Sequence, residues 1–310
     1  METYDAIIIG AGPAGMSAAL FAKGDGLKFR LIEKGKPCAF VEEVVNTNFT
    51  NLENYLGLYN LNGTQVSKRF RDHLVDSGIN IQRDSIESLI REGVLLRVVS
   101  RNEEYKTRTV ILATGTRPKK LEINGSERVN GRVHYAVIDK QVEQYVGKDI
   151  IVIGGRNSGA VTAVKLKELG CSPIVLEKSN ISTAKEKYLK KIDELRIPYF
   201  LDSVLEEITG DGEIKCAYVN LGGVNQTLHP VAIYGCIGSE PNNELALSLG
   251  LKLDNSGYVL VDRQMRTSDE RIFAAGDLNG GVKMIAVAVG EGAIAEYYAN
   301  SFVKSAAKSK

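Results

Sequence analysis

The chain has 310 residues, room for about two domains of ordinary size. Hydrophobic residues make up 44% and charged residues 25%, enough for a sizeable core, and a net charge of +1 gives no electrostatic case for a nucleic-acid or membrane partner. No apolar run reaches the roughly 18 residues of a spanning helix, and Met1-Glu2-Thr3-Tyr4-Asp5 leads straight into a strand, so a cytoplasmic protein without a leader is expected.

Residues 4–10 read as a buried strand centred on Ile7-Ile8-Ile9, followed by a small-residue helix from Gly15 and a second strand at 28–33. The stretch 36–65, rich in Asn, Gly and Tyr, reads as loop and turn, and 69–77 as helix. Residues 80–112 alternate apolar and polar, as a β-meander does. The pattern then restarts: strand at 149–154, helix at 158–169, strand at 172–177, a charged helix at 184–195 and a second meander from about 197 to 235. Residues 257–275 read as strand, a final helix runs through Tyr298, and the polar tail from Lys304 reads as frayed. The expected fold is α/β, with two Rossmann-like, three-layer ββα domains, the second inserted into the first. The boundaries fall at 1–117 with 242–310, and at 118–241.

Gly10-Ala11-Gly12-Pro13-Ala14-Gly15 follows a strand and opens a helix, the context a dinucleotide fingerprint requires. Gly10 permits the tight turn, Gly12 lets the backbone approach a pyrophosphate, and Gly15 lets helix and strand pack closely. The phosphates would lie on the helix N-terminus. Glu33 ends the next strand, where its carboxylate can accept hydrogen bonds from ribose hydroxyls. A second copy, Gly154-Gly155-Arg156-Asn157-Ser158-Gly159, carries arginine at the middle glycine, and Glu177 ends the strand after it. Arg156 crowds the pyrophosphate position, and Glu177 opposes a 2′-phosphate, so NADH is favoured over NADPH there, with a remodelled or empty second site as the alternative. The residues for this nucleotide would be Gly154, Gly155, Asn157, Ser158 and Glu177.

Asn51-Leu52-Glu53-Asn54-Tyr55-Leu56-Gly57, Ala113-Thr114-Gly115 and Ala274-Ala275-Gly276-Asp277 resemble the flavin signatures of the thioredoxin reductases, the low-molecular-weight class of pyridine nucleotide-disulfide oxidoreductases. Ile237-Gly238-Ser239-Glu240-Pro241-Asn242 resembles that family's second interdomain hinge. The resemblance implies bound FAD, held by the fingerprint residues Gly10, Gly12, Pro13, Ala14 and Gly15 together with Glu33, Lys34, Asn54, Thr114, Gly115, Gly276 and Asp277. Lys283, Met284 and Ile285 would meet the pyrimidine edge of the flavin, where reduction builds negative charge. The resemblance also implies a homodimer.

The family's Cys-x-x-Cys pair is missing. In the matching segment, His134-Tyr135-Ala136-Val137-Ile138-Asp139, the cysteines are replaced by Ala136 and Asp139. Cys38, Cys171, Cys216 and Cys236 are scattered, as free thiols of a reducing compartment would be. His73, His134 and His229 have no metal spacing, and no metal is expected. Asp139, Cys38 and Lys283 are the candidate catalytic side chains. The expected activity is an FAD-dependent oxidoreductase serving a small-molecule or small redox-protein acceptor such as ferredoxin, oxygen or a quinone. The alternatives are an FAD-binding regulatory module and a true thioredoxin reductase working through distant cysteines.

Overall fold

The computed structural model describes residues 2–39, 41–42, 52–129 and 131–308. They form two compact units: one holds residues up to 42, 52–117 and 240 onward, and the other holds Pro118–Ser239.

In the first unit, β1 (Thr3–Ile9), α1 (Pro13–Gly24) and β2 (Phe29–Glu33) form the expected strand-helix-strand start. Helix α2 (Gly63–Asp76) starts six residues before the sequence reading placed it. Asn62 accepts from the Gln65 amide and the Gln65 side chain accepts from the Asn62 amide, a reciprocal capping box. Next come β3 (Ile81–Arg83), β4 (Ile86–Glu92), β5 (Leu95–Ser100) and β6 (Glu104–Leu112). The sheet runs in the order β3-β2-β1-β6-β5-β4. β1, β2, β3 and β6 are parallel, and β4-β5-β6 is the antiparallel meander.

The chain leaves along β7 (Thr116–Pro118) and builds the second unit. This contains β8 (Val133–His134), α3 (Asp139–Val142), β9 (Asp149–Ile153), α4 (Asn157–Glu168), β10 (Ser172–Leu176), α5 (Glu186–Glu194) and β11 (Tyr199–Phe200). The meander β12 (Ser203–Asp211), β13 (Glu213–Leu221) and β14 (Val224–Leu228) precedes β15 (Ala232–Gly235). The order β11-β10-β9-β15-β8 is parallel throughout. Alternation along β9 sorts the core: Ile150 and Val152 face the α4 side with Ala160 and Val164, and Ile151 faces the meander with Ile208 and Val219.

β16 (Ser239–Pro241) pairs with β7 and returns the chain to the first unit. There α6 (Glu244–Ser248), β17 (Ile272–Ala274) and α7 (Ile285–Lys308) finish it, with β17 parallel to the second half of β6. Ile7 and Ile9 pack towards the meander and α6, and α1 and α7 cover the other face. Both units are Rossmann-like ββα layers. Residues 257–275 differ from their sequence reading. Only Ile272–Ala274 is strand, and the rest makes isolated bridges, Leu253 with Val259 and Arg266 with Phe273. The final helix continues past Tyr298 to Lys308 because buried Ala299, Asn300 and Val303 keep its inner face packed.

Candidate functional site

The first fingerprint joins β1 to α1. Gly10 has φ +103°, and a Cβ there would lie 2.3 Å from the Ala113 carbonyl oxygen. A Cβ at Gly15 would lie 1.8 Å from the Gly10 carbonyl oxygen, so both glycines answer to backbone packing. Gly12 differs: at φ −80° it needs no left-handed freedom, and a Cβ would meet no atom of the described residues within 4 Å. Its missing side chain leaves room for something else. No side chain caps α1, and its first main-chain bond runs from Met16 N to Gly12 O. Among the described residues the N–H groups of Ala14 and Gly15, next to Pro13, meet no acceptor, which suits an anion.

Glu33 closes the cradle. Its Oε2 accepts from Ala11 N at 2.7 Å and its Oε1 from Gly35 N at 2.8 Å. A cleft of about 310 Å³ opens beside it, lined by Glu33, Gly35, Lys36, Pro37, Ile81 and Arg83. Lys34 is exposed, and so is Asn54. Asn51 lies outside the described residues. Thr114 donates its hydroxyl to Asn242 O at 2.8 Å, and Gly115 O accepts from Asn242 N at 3.0 Å.

Gly276 and Asp277 sit in a 3-10 turn after β17. Gly276 has φ +77°, and a Cβ there would stand 3.0 Å from the Ala14 Cβ, so this loop abuts the cradle. Asp277 is half-buried, and its carboxylate has no hydrogen bond among the described residues. Burial raises its pKa despite the nearby charge of Lys283. A carboxylate short of donors beside a phosphate cradle fits the hydroxyl-bearing chain between the flavin and the pyrophosphate. The Gly276 N–H instead donates to Glu291 Oε2 at 2.8 Å, which also accepts from Asn279 Nδ2 at 2.9 Å. Met284 and Ile285 stand at the start of α7, where among the described residues the N–H groups of Ile285, Ala286 and Val287 have no backbone acceptor. Lys283 donates to Tyr258 Oη at 2.8 Å and lies 4.9 Å from that ring's centroid. These features fit FAD.

The four cysteines are free. Cys38 lies against the fingerprint: its N–H donates to Ala11 O at 3.0 Å, and its thiol rests 3.5 Å from Met16 Sδ. Burial pushes that thiol up to about 12, so it stays protonated at neutral pH. Ala136 is half-buried; Asp139 opens α3, and its side chain lies outside the described residues.

The second fingerprint repeats the first. Gly154 has φ +93°, and a Cβ at Gly159 would lie 1.6 Å from the Gly154 carbonyl oxygen. Glu177 accepts from Gly155 N and from Ser179 N, as Glu33 does from Ala11 and Gly35. Arg156 has nearly the backbone of Gly12, φ −66° and ψ −171° against −80° and −177°. The loop after β10 is laced over this end of α4. Arg156 Nε donates to Thr183 Oγ1 at 3.1 Å, and Lys185 N donates to Asn157 Oδ1 at 2.8 Å. Ser158 is exposed. Tyr199 Oη donates to Gly155 O at 2.7 Å and meets Ser182 Oγ at 3.0 Å. Sequence reasoning missed Tyr199 and Glu291, since neither carries a motif and each reaches the site through tertiary packing.

Among the described residues no helix is long and apolar enough to cross a membrane, and no group of three or more His, Cys, Asp or Glu could hold a metal. Residues 4–292 match the family described as pyridine nucleotide-disulphide oxidoreductase. The thioredoxin reductase of Listeria monocytogenes is 30% identical, with 98% of this chain and 95% of that protein covered. The ferredoxin–NADP reductase of Ignicoccus hospitalis is 28% identical over 97% of this chain and 98% of its own. The crystal structure of Lactococcus lactis thioredoxin reductase superposes with a TM-score of 0.88 at 29% identity, covering 97% of this chain and 99% of that one.

Proposed function

The chain belongs to the pyridine nucleotide-disulphide oxidoreductases, and from that premise we propose a thioredoxin reductase-like flavin enzyme that uses NADH and serves an acceptor other than thioredoxin. The observation that carries this is a pairing. Room at Gly12 and N–H groups of Ala14 and Gly15 without an acceptor among the described residues suit a bound dinucleotide, while the positions that match the family's dithiol hold Ala136 and Asp139.

Bound FAD would supply the exchange of a hydride for single electrons. The chain's own part is binding and placement. The Ala14 and Gly15 N–H groups would meet the pyrophosphate, Glu33 the adenosine ribose, and Asp277 the ribityl hydroxyls. The start of α7 would present N–H groups to the pyrimidine edge, where a helix N-terminus favours negative charge. In the second unit Gly155, Ser158 and Glu177 would hold NADH, with the Glu177 carboxylate on a free 2′-hydroxyl. Ferredoxin is the acceptor this reading favours, supported by the resemblance to a ferredoxin–NADP reductase. The same reading makes the protein a cytoplasmic homodimer.

Mixing dithionite-reduced protein with oxidised ferredoxin or oxidised thioredoxin tests the acceptor. Rapid reoxidation by ferredoxin and none by thioredoxin is expected; the reverse order overturns the reading. One observation favours the alternative of a flavin-bearing binding module: Arg156 spans the second cradle to Thr183. That alternative requires a flavin that neither NADH nor NADPH bleaches.

A further inference from the structure

Helix α7 lies along α1. At the cradle end the seam is closed by glycine, since a Cβ at Gly292 would sit 2.0 Å from the Ala14 carbonyl oxygen. At the far end Asn300 Nδ2 donates to Asp25, the residue that caps α1. Between these contacts lies Glu296, with 0% of its surface exposed. Among the described residues neither of its carboxylate oxygens has a hydrogen-bond partner, and neither does Asn300 Oδ1. A buried carboxylate left charged and unpaired is strongly disfavoured.

The chemistry of the three groups has one consistent assignment. An ionised Asp25 only accepts, so Asn300 must turn its amide NH2 towards it, as it does. Asn300 Oδ1 is then left needing a donor. Glu296 stands one helical turn away on the same face of α7, and it can donate only when protonated. We propose that one proton on Glu296, shared with Asn300 Oδ1, locks α7 to α1, and that its loss to water loosens the flavin cradle at the other end of the seam. The cradle's identity rests on the flavin reading above; the lock itself does not.

Burial pushes the Glu296 carboxyl up to about 7; Asp25 adds to the push, and Lys304 opposes it. No charged side chain of β1, β6, β17 or the 3-10 turn, all packed on α7, bears on it. The folded chain therefore holds a proton that the unfolded chain gives up at the ordinary value of 4.5. The stabilisation is full below that value and is lost as pH rises through about 7. Above that, two carboxylates flank one amide.

The test compares the holoprotein with its E296Q variant between about pH 5.5 and about pH 8. Thermal midpoint and FAD release are both read. Glutamine keeps a donor and cannot titrate. The wild type should lose a few degrees and release FAD several-fold faster at the alkaline end, while E296Q holds both nearly level. A wild-type midpoint that does not fall, or an E296Q slope equal to the wild type's, overturns the proposal. If E296Q fails to fold, infrared spectroscopy of the wild type decides: a protonated carboxyl band should disappear as pH rises through about 7, and a spectrum without one at acid pH refutes the lock. A protein that carries no FAD at any pH refutes the flavin reading instead, and the midpoint comparison still judges the lock.

Discussion

Tyr199 donates its hydroxyl hydrogen to the carbonyl oxygen of Gly155 at 2.7 Å, and the same hydroxyl fills the space a Cβ at 155 would need, 2.3 Å away. The first fingerprint has Ala11 at this position, and its carbonyl oxygen accepts from Cys38 N at 3.0 Å instead. Two of the differences between the copies reshape the loop: arginine replaces the middle glycine, and Tyr199 of β11 bonds the backbone at Gly155.

Gly155→Ala should displace Tyr199 and cost about 1–3 kcal/mol of stability, the usual penalty of overpacking. Thermal midpoints check this, and flavin content should stay unchanged because the first unit is not touched. Tyr199→Ala in the same chain should relieve the clash, so the double variant is more stable than the sum of the single losses. Simple additivity would count against the brace.

Gly12→Ala separates ligand room from backbone strain. With φ −80° and no atom of the described residues within 4 Å, the fold should accept the methyl group with a change within about 0.5 kcal/mol. FAD affinity should fall by about tenfold or more, a loss of about 1.4 kcal/mol. Flavin fluorescence titrations read the affinity, and melting of flavin-stripped protein reads the fold. Unchanged affinity would remove Gly12 from the phosphate cradle.

Arg156→Gly should give the second cradle the room that Gly12 gives the first. The guanidinium held on Thr183 is then gone, and NADH affinity should rise several-fold in titrations followed by nicotinamide fluorescence. A fall in affinity would show that Arg156 holds the nucleotide rather than crowding it.

The thiols should be spectators. Cys38, pushed up to about 12, forms almost no thiolate at neutral pH; burial also raises Cys171. A variant with all four cysteines changed to serine should reduce ferredoxin within about twofold of the wild-type rate. A loss beyond about tenfold would restore a thiol to the mechanism.

Both fingerprints and their closing carboxylates were legible because they are local: glycines, a strand before, a helix after, and Glu33 or Glu177 at the next strand's end. The two ββα layers followed from the restart of that pattern. Other features depend on distant contacts. Tyr199 lies in a short strand whose sequence gives no hint that its hydroxyl reaches Gly155. Glu291 sits inside the final helix with no motif around it, yet it holds the Gly276 amide. Residues 257–275 read as strand, but outside Ile272–Ala274 they pair only at isolated bridges. The tail from Lys304 looks polar, and Val303 before it, buried at 6% exposure, anchors the helix to its end.

Anaerobic stopped-flow mixing of the purified flavoprotein with NADH tests the central claim most directly. The account predicts rapid loss of the oxidised flavin band, with NADPH slower at equal concentration. A flavin that dithionite bleaches but neither nucleotide does would contradict it and leave the second fingerprint without a donor to bind.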